Sequence, residues 1–256
     1  MSFKFNDIFK IPERNVIQQK LTKAFFLRIQ GITSAEKKVL NTAILKMDIL
    51  AQIIPEKSNI PALTNNTESF EQILLIICRI RDNEIENDAD KCIQLIQKYI
   101  SHQVIIIIED SNEFKINVTE KRVNQNDKTK LTVEKYITTN TIPKLYKNDL
   151  NDIFFKALDF AILDKTNLAQ LYKNYIQVII QYKTSAITGS FKKRTNTRST
   201  EDMQHLETIE QLEKDIISLT SQIKKGSQLN QKVQLNIKIQ EKRKAIEKIK
   251  TVINEH

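Results

Sequence analysis

A chain of 256 residues with 40% hydrophobic and 28% charged residues can bury a core, which excludes wholesale disorder. The length fits one large domain or a modest domain with an extension. A formal charge of +9 and a pI near 9.3 favour contact with a polyanion, because each cation placed on a phosphate releases a condensed counterion. The excess of Ile, Asn and Lys expected of AT-rich coding is a second source of that charge.

Pro12 to Arg28 reads as a helix, with Pro12 tolerated in the first turn and Val16, Ile17, Leu21, Phe25 and Leu27 forming an uneven apolar side. Gly31 punctuates the chain. Ser34 is the cap candidate for a second helix reaching about Ile53, with Val39, Leu40, Ala43, Ile44, Met47, Leu50 and Ala51 on one stripe. Pro55 ends it, and 56–67 is a connection with Pro61 and an Asn-Asn-Thr cluster.

Ile73 to Cys78 is a continuous apolar run whose length and branched residues favour a strand buried on both faces, while its Glu71-Gln72 entry keeps a helix open. Ala89, Cys92, Ile93, Ile96 and Ile100 then space out as a helix, and Val104 to Ile108 is a second apolar strand. Strand, helix and strand in that order predict a parallel crossover. After a turn at Glu109 to Asn112, Phe114, Ile116 and Val118 alternate with Lys115, Asn117 and Thr119, as in an antiparallel partner with one wet face. A polar tip over 124–130 leads to a further antiparallel strand through Leu131, Val133 and Tyr136-Ile137.

Helices resume at about Leu150 to Ala161 and from Asn167 to about Ala186, the second with a stripe of Leu168, Leu171, Tyr175, Ile179 and Tyr182. Residues 184–200 contain no acidic residue and read as a mobile basic linker. Beyond it, Ile209, Leu212, Ile216, Leu219 and Ile223 step by three and four, and so do Leu235, Ile239, Lys242, Ile246, Ile249 and Ile253. Two such seams either side of a short turn containing Gly226 predict an antiparallel coiled-coil hairpin. Its first helix is acidic and its second basic, and opposite charges on facing flanks help set the register, at about 0.2–1 kcal/mol per exposed pair.

The expected fold is therefore α+β. A small mixed sheet with a crossover helix and surrounding helices occupies 1–183, with a helical part over 1–55, the sheet over 70–140 and helices over 148–187. The basic linker follows over 184–200 and the hairpin arm over 201–256.

Several chemistries are set aside. With Gly31, Gly189 and Gly226 as the only glycines, neither a phosphate-binding loop nor a dinucleotide fingerprint can be written. His102, His205 and His256 lack metal-ligand spacing, and no catalytic residue, metal or cofactor is assigned. Cys78 and Cys92 sit in apolar patterns and read as reduced, buried thiols. The N-terminus lacks the apolar core of a signal peptide and no apolar run reaches membrane length, so a soluble, cytoplasmic protein is expected. Asp110, Glu113 and Lys115 stand in the order of a metal-dependent nuclease, with carboxylates to hold Mg²⁺ and a lysine to orient water. Two residues across a tight turn separate the carboxylates, where solvated hairpin-tip charges explain them more simply.

Nucleic-acid contact is assigned to Lys183, Lys192, Lys193, Arg194 and Arg198, with Phe191 available for stacking, and then to Lys224 and Lys225 at the hairpin turn. A solubilising linker is the plain alternative. Ile209, Leu212, Ile216, Leu219, Leu235, Ile239 and Ile246 are the candidate surface for a partner protein.

The run Gln211-Leu212-Glu213-Lys214-Asp215-Ile216, followed by Ile223-Lys224-Lys225 and Gln228-Leu229-Asn230-Gln231-Lys232-Val233-Gln234-Leu235-Asn236, resembles the C-terminal signature of the bacterial domain of unknown function 4391 family. Leu229, Gln231 and Gln234 stand where that signature has Phe, Arg and Glu. Ser34 to Leu50, Asp90 to Ile108 and Leu168 to Ile180 are similar to earlier family segments. The resemblance implies a setting beside helicases and DNA methyltransferases of restriction-like defence operons, and it assigns no catalytic residues. With the basic linker for electrostatic DNA contact and the resemblance for the partners, the expected function is a non-enzymatic accessory subunit that binds DNA and docks a helicase or methyltransferase. A protein-only adaptor acting through the hairpin and a Mg²⁺-dependent nuclease remain the alternatives.

Overall fold

The structure is a computed structural model, and it describes residues 3–145, 148–191, 196–225 and 228–255. In chain order its elements begin with α1 (Phe5–Phe9), a 3-10 turn (Glu13–Asn15), β1 (Val16–Lys20), α2 (Lys23–Leu27), α3 (Ser34–Thr42), β2 (Ile44–Ile53) and α4 (Pro55–Ser58). Next come β3 (Leu63–Thr64), β4 (Ser69–Phe70), β5 (Ile73–Ile80), α5 (Ile85–Tyr99), β6 (Gln103–Glu109), β7 (Glu113–Val123), β8 (Leu131–Thr138) and β9 (Ile142–Pro143). The helices α6 (Asp149–Ala157), α7 (Leu168–Thr188), α8 (Asn196–Lys224) and α9 (Leu229–Asn254) complete it. The chain divides into two units, Met1–Ile179 and Ile180–His256.

The first unit is built on a seven-stranded mixed sheet of order β1-β2-β5-β6-β7-β8, with β9 added on β7, while β3 and β4 form a separate ribbon. The expected crossover is present: β5 and β6 pair in parallel, Ile73 opposite Gln103 through Arg79 opposite Glu109, with α5 between them in sequence. β7 and β8 extend the sheet antiparallel, as their alternation predicts. Ile85, Ala89, Cys92, Ile93 and Ile96 of α5 and Leu40 of α3 pack with Met47, Ile76, Cys78, Val104, Ile106 and Ile108 of the sheet in one apolar core. Both cysteines are buried free thiols, and burial pushes both pKa values up, that of Cys92 to about 12.

The first 53 residues correct the helical reading. The helices expected over 12–28 and 34–53 are present only as α2 and α3, and two strands, β1 and β2, stand where the rest was expected, so the sheet is larger than expected. The reason lies in β2, where Leu45 and Leu50 are each inserted as a bulge against β5, between Ile44 and Lys46 and between Ile49 and Ala51. The buried residues of β2 are consequently Ile44, Met47, Ala51 and Ile53, at intervals that imitate a helical stripe. In β1 the register shifts between Val16 and Gln19, where Gln18 adopts a left-handed φ of 47°, and the period of two is lost again. The cap of α3 is Thr33 rather than Ser34: its side chain accepts from the Glu36 N–H while Glu36 accepts from the Thr33 N–H, a capping box.

β7 supplies the second correction. Asn117 and Thr119, read as a wet face, are fully buried. Gln97 of α5 lies against them: its amide nitrogen donates to Asn117 Oδ1 (2.9 Å) and its amide oxygen accepts from the Thr119 hydroxyl (3.1 Å). A polar strand face can be buried when each group finds a partner, and here a helix supplies them.

Two buried tyrosines of α7 illustrate the same rule with opposite outcomes. The Tyr172 hydroxyl accepts from Thr119 N–H and donates to Val104 O, both at 3.0 Å, whereas the buried Tyr175 hydroxyl has no hydrogen-bond partner among the described residues. Tyr175→Phe is therefore expected to leave the thermal midpoint unchanged or to raise stability by about 1 kcal/mol, while Tyr172→Phe lowers it by about 2 kcal/mol. Parallel thermal melts of the two variants check the contrast.

In the second unit, α8 and α9 pack on each other and run antiparallel. Arg198 near the start of α8 donates to Val252 O near the end of α9 (3.1 Å), and Lys242 meets Asp215 at 2.6 Å. Ile209, Ile246 and Ile253 form its core, with Ile187, Leu212, Ile216 and Ile249 packed against them. Residues predicted as linker are helical at both ends, since α7 continues to Thr188 and α8 begins at Asn196. No helix among the described residues is long and apolar enough to cross a membrane.

Candidate nucleic-acid interface

Charge is concentrated in the second unit. Residues 180–256 carry 15 Lys and Arg against 9 Asp and Glu, which is +6 of the chain's +9. Within it, α8 has three cations and six carboxylates, while α9 has seven cations and two carboxylates.

The structure distributes the predicted contacts unevenly. Lys183 is bound to Glu210 at 2.7 Å with its side chain 11% exposed. Arg198 lies within 3.2 Å of both Glu201 and Asp202, at 18% exposure. Both cations are engaged inside the unit. Lys192, Lys193 and Arg194 lie outside the described residues. Lys224 and Lys225 are exposed at the end of α8.

Further cations stand free on α9. Lys242 and Lys250 pair with Asp215 and Glu247, but Lys238, Arg243, Lys244 and Lys248 are exposed and make no ion pair among the described residues. Residues at this spacing cover more than one flank of a helix, so these four form a basic surface rather than a single row. Of the seam proposed for a partner, Ile209, Ile239 and Ile246 are buried, Leu212 and Ile216 join the hairpin core, and Leu219 and Leu235 are half-buried.

The nuclease-like set resolves into turn chemistry. Asp110 is buried, its Oδ1 accepts from the N–H groups of Asn112 (2.8 Å) and Glu113 (2.9 Å), and its Oδ2 accepts from Asn83 N–H (3.0 Å). Lys115 pairs with Glu86 at 2.9 Å, and Lys144 with Glu109. Burial, with Asp110 and Glu86 nearby, holds the Glu113 carboxyl above its ordinary range. Among the described residues no group of three or more His, Cys, Asp or Glu side chains is placed to hold a metal ion.

A second polar concentration, absent from the sequence reading, lies in the first unit. Backbone pairing of β6 with β7 runs from Glu109–Phe114 to Ile106–Asn117 and stops, and side chains take over where the strands part. Besides the Tyr172 bridge, Gln97 donates to Val104 O at 3.1 Å, and Lys121 Nζ donates to Ile100 O (3.0 Å) and His102 O (2.8 Å). Burial lowers the Lys121 ammonium pKa to about 7 and lowers that of His102, and it pushes the Tyr172 phenol up to about 12. A cavity of about 330 Å³ opens beside this wedge, between β7, the β3–β4 ribbon and α7. The sequence signal was the polar series Asn117, Thr119 and Lys121 at alternate positions of one strand, which reads as solvated until a helix is seen to cover it.

Searches of curated proteins and of solved structures each returned no match. A family model does match, over residues 9–246 of the 256. The chain belongs to the family described as Domain of unknown function (DUF4391).

Proposed function

We propose that the protein is a nucleic-acid-binding accessory protein that contacts the phosphate backbone through its C-terminal unit. The observation that carries this reading is the set of cations Lys238, Arg243, Lys244 and Lys248 on α9, exposed and without an ion pair among the described residues, in a unit that holds two thirds of the net charge. Such contacts are sequence-tolerant and salt-sensitive. Docking to a helicase or DNA methyltransferase is the part of the proposal that rests on the family resemblance.

The test is duplex DNA binding by the full chain at low salt, followed by fluorescence anisotropy. Changing Lys238, Arg243, Lys244 and Lys248 to Gln should weaken binding about 100-fold. The same charge removed from the first unit, at the exposed Lys20, Lys37, Lys38 and Lys128, should weaken it less than about fivefold. Equal losses from the two sets would mean that net charge alone is responsible. The protein-only adaptor has one observation in its favour, the exposed Ile217, Val233 and Ile237 of the hairpin, and it predicts no DNA affinity in either form.

A further inference from the structure

Phosphate contact by α9 makes no use of Lys121, the most unusually placed cation of the first unit. Its side chain is almost wholly buried on β7, and no carboxylate lies within ion-pair distance among the described residues. Its two hydrogen bonds go to Ile100 O and His102 O, the first being the carbonyl that follows the last turn of α5. Closing off such a carbonyl is a structural service any amine can perform. A neutral amine performs it with its two hydrogens and keeps a lone pair, and a lone pair is what a nucleophile requires.

The surroundings suit a reaction. Lys121 is in the wall of the 330 Å³ cavity, a volume at the lower end of the range for small-molecule sites. The charged groups around it are Glu68, Glu120, Arg122, Glu134 and Lys173 in the wall, and His102 at its carbonyl partner. Four of them are matched with one another, Glu68 with Lys173 at 2.9 Å and Arg122 with Glu134 at 2.5 Å. The wall also carries the rings of Phe70 and Tyr172, whose centroids are 6.0 Å apart.

We infer that Lys121 is a nucleophilic amine and that the cavity between β7, the β3–β4 ribbon and α7 takes a small aldehyde or ketone, held as an imine on Lys121. The amine nitrogen adds to the carbonyl carbon, and the carbonyl oxygen then leaves as water carrying both amine hydrogens. A carbon–nitrogen double bond forms and nothing is oxidised or reduced. Burial lowers the pKa to about 7, so that much of the population is neutral where an exposed lysine is protonated.

The test is reductive alkylation of the folded, full-length protein with propionaldehyde and cyanoborohydride, followed by peptide mass mapping. At pH 7, Lys121 should be modified at least about tenfold faster than the exposed Lys37 and Lys38, and its lead should shrink toward pH 10 as those lysines lose their protons. Lys121→Arg keeps donors for the two carbonyls and should erase the fast-reacting peptide while the far-ultraviolet circular dichroism is retained. The rate comparison on the unsubstituted protein stands whether or not that variant folds. Lys121 left unmodified while Lys37 and Lys38 react, or modified with their rate and pH profile, would reduce it to a structural cap on α5.

Discussion

Gln97→Leu in α5 should lower the free energy of unfolding by about 4 kcal/mol. The leucine fills much of the same space but removes three hydrogen bonds, to Val104 O, Asn117 Oδ1 and the Thr119 hydroxyl. Val104 O keeps the Tyr172 hydroxyl, so two buried groups are orphaned, each at about 1–3 kcal/mol. Adding Thr119→Val to Gln97→Leu removes one of those orphans, so the double variant should be more stable than the sum of the single losses implies. Urea denaturation with an unchanged m-value provides the measurement. A Gln97→Leu variant within 1 kcal/mol of the parent would show that water supplies the missing partners.

The second large effect is pH-dependent. The folded-state pKa of Lys121 is about 7, depressed from an ordinary value of 10.5 by burial. Between those values the unfolded chain binds the extra proton and the folded chain does not, so this group makes stability rise with pH, by up to about 1.4 kcal/mol per unit. Below about pH 7 the penalty for burying the amine is fully present, and it is relieved as pH climbs toward 10.5. Lys121→Met, which cannot titrate, should lose that rise. The stability difference between the parent and Lys121→Met should therefore grow in the parent's favour from pH 7 to pH 9.5, while the tyrosines and cysteines cancel. A difference that stays flat over this window would mean that Lys121 titrates as an exposed lysine does.

What the sequence disclosed depended on whether each element kept its period. Ile73 to Cys78 and Val104 to Ile108 were legible because a buried parallel strand is apolar throughout, whatever its register. The α8 and α9 seams were legible because a long helix repeats its stripe many times. β1 and β2 were not, because three register shifts within about 38 residues removed the alternation that identifies a strand. The buried face of β7 was hidden for a different reason: Asn117, Thr119 and Lys121 are polar by composition, and only the position of Gln97 and the end of α5 makes them interior. Lys183 and Arg198 were assigned to nucleic acid from their charge; the pairing of Lys183 with Glu210 joins residues of two helices, and that of Arg198 with Glu201 and Asp202 lies within α8.

If α9 makes the phosphate contacts, the salt dependence of DNA binding must register the loss of its cations. Four cations on phosphates should contribute about −3.6 to the slope of log K against log salt, or about a 150-fold loss between 50 and 200 mM. The variant with Gln at positions 238, 243, 244 and 248 should bind duplex DNA with a slope shallower than the parent's by about that amount. Equal slopes for parent and variant, or a parent with no measurable affinity at 50 mM salt, would contradict it.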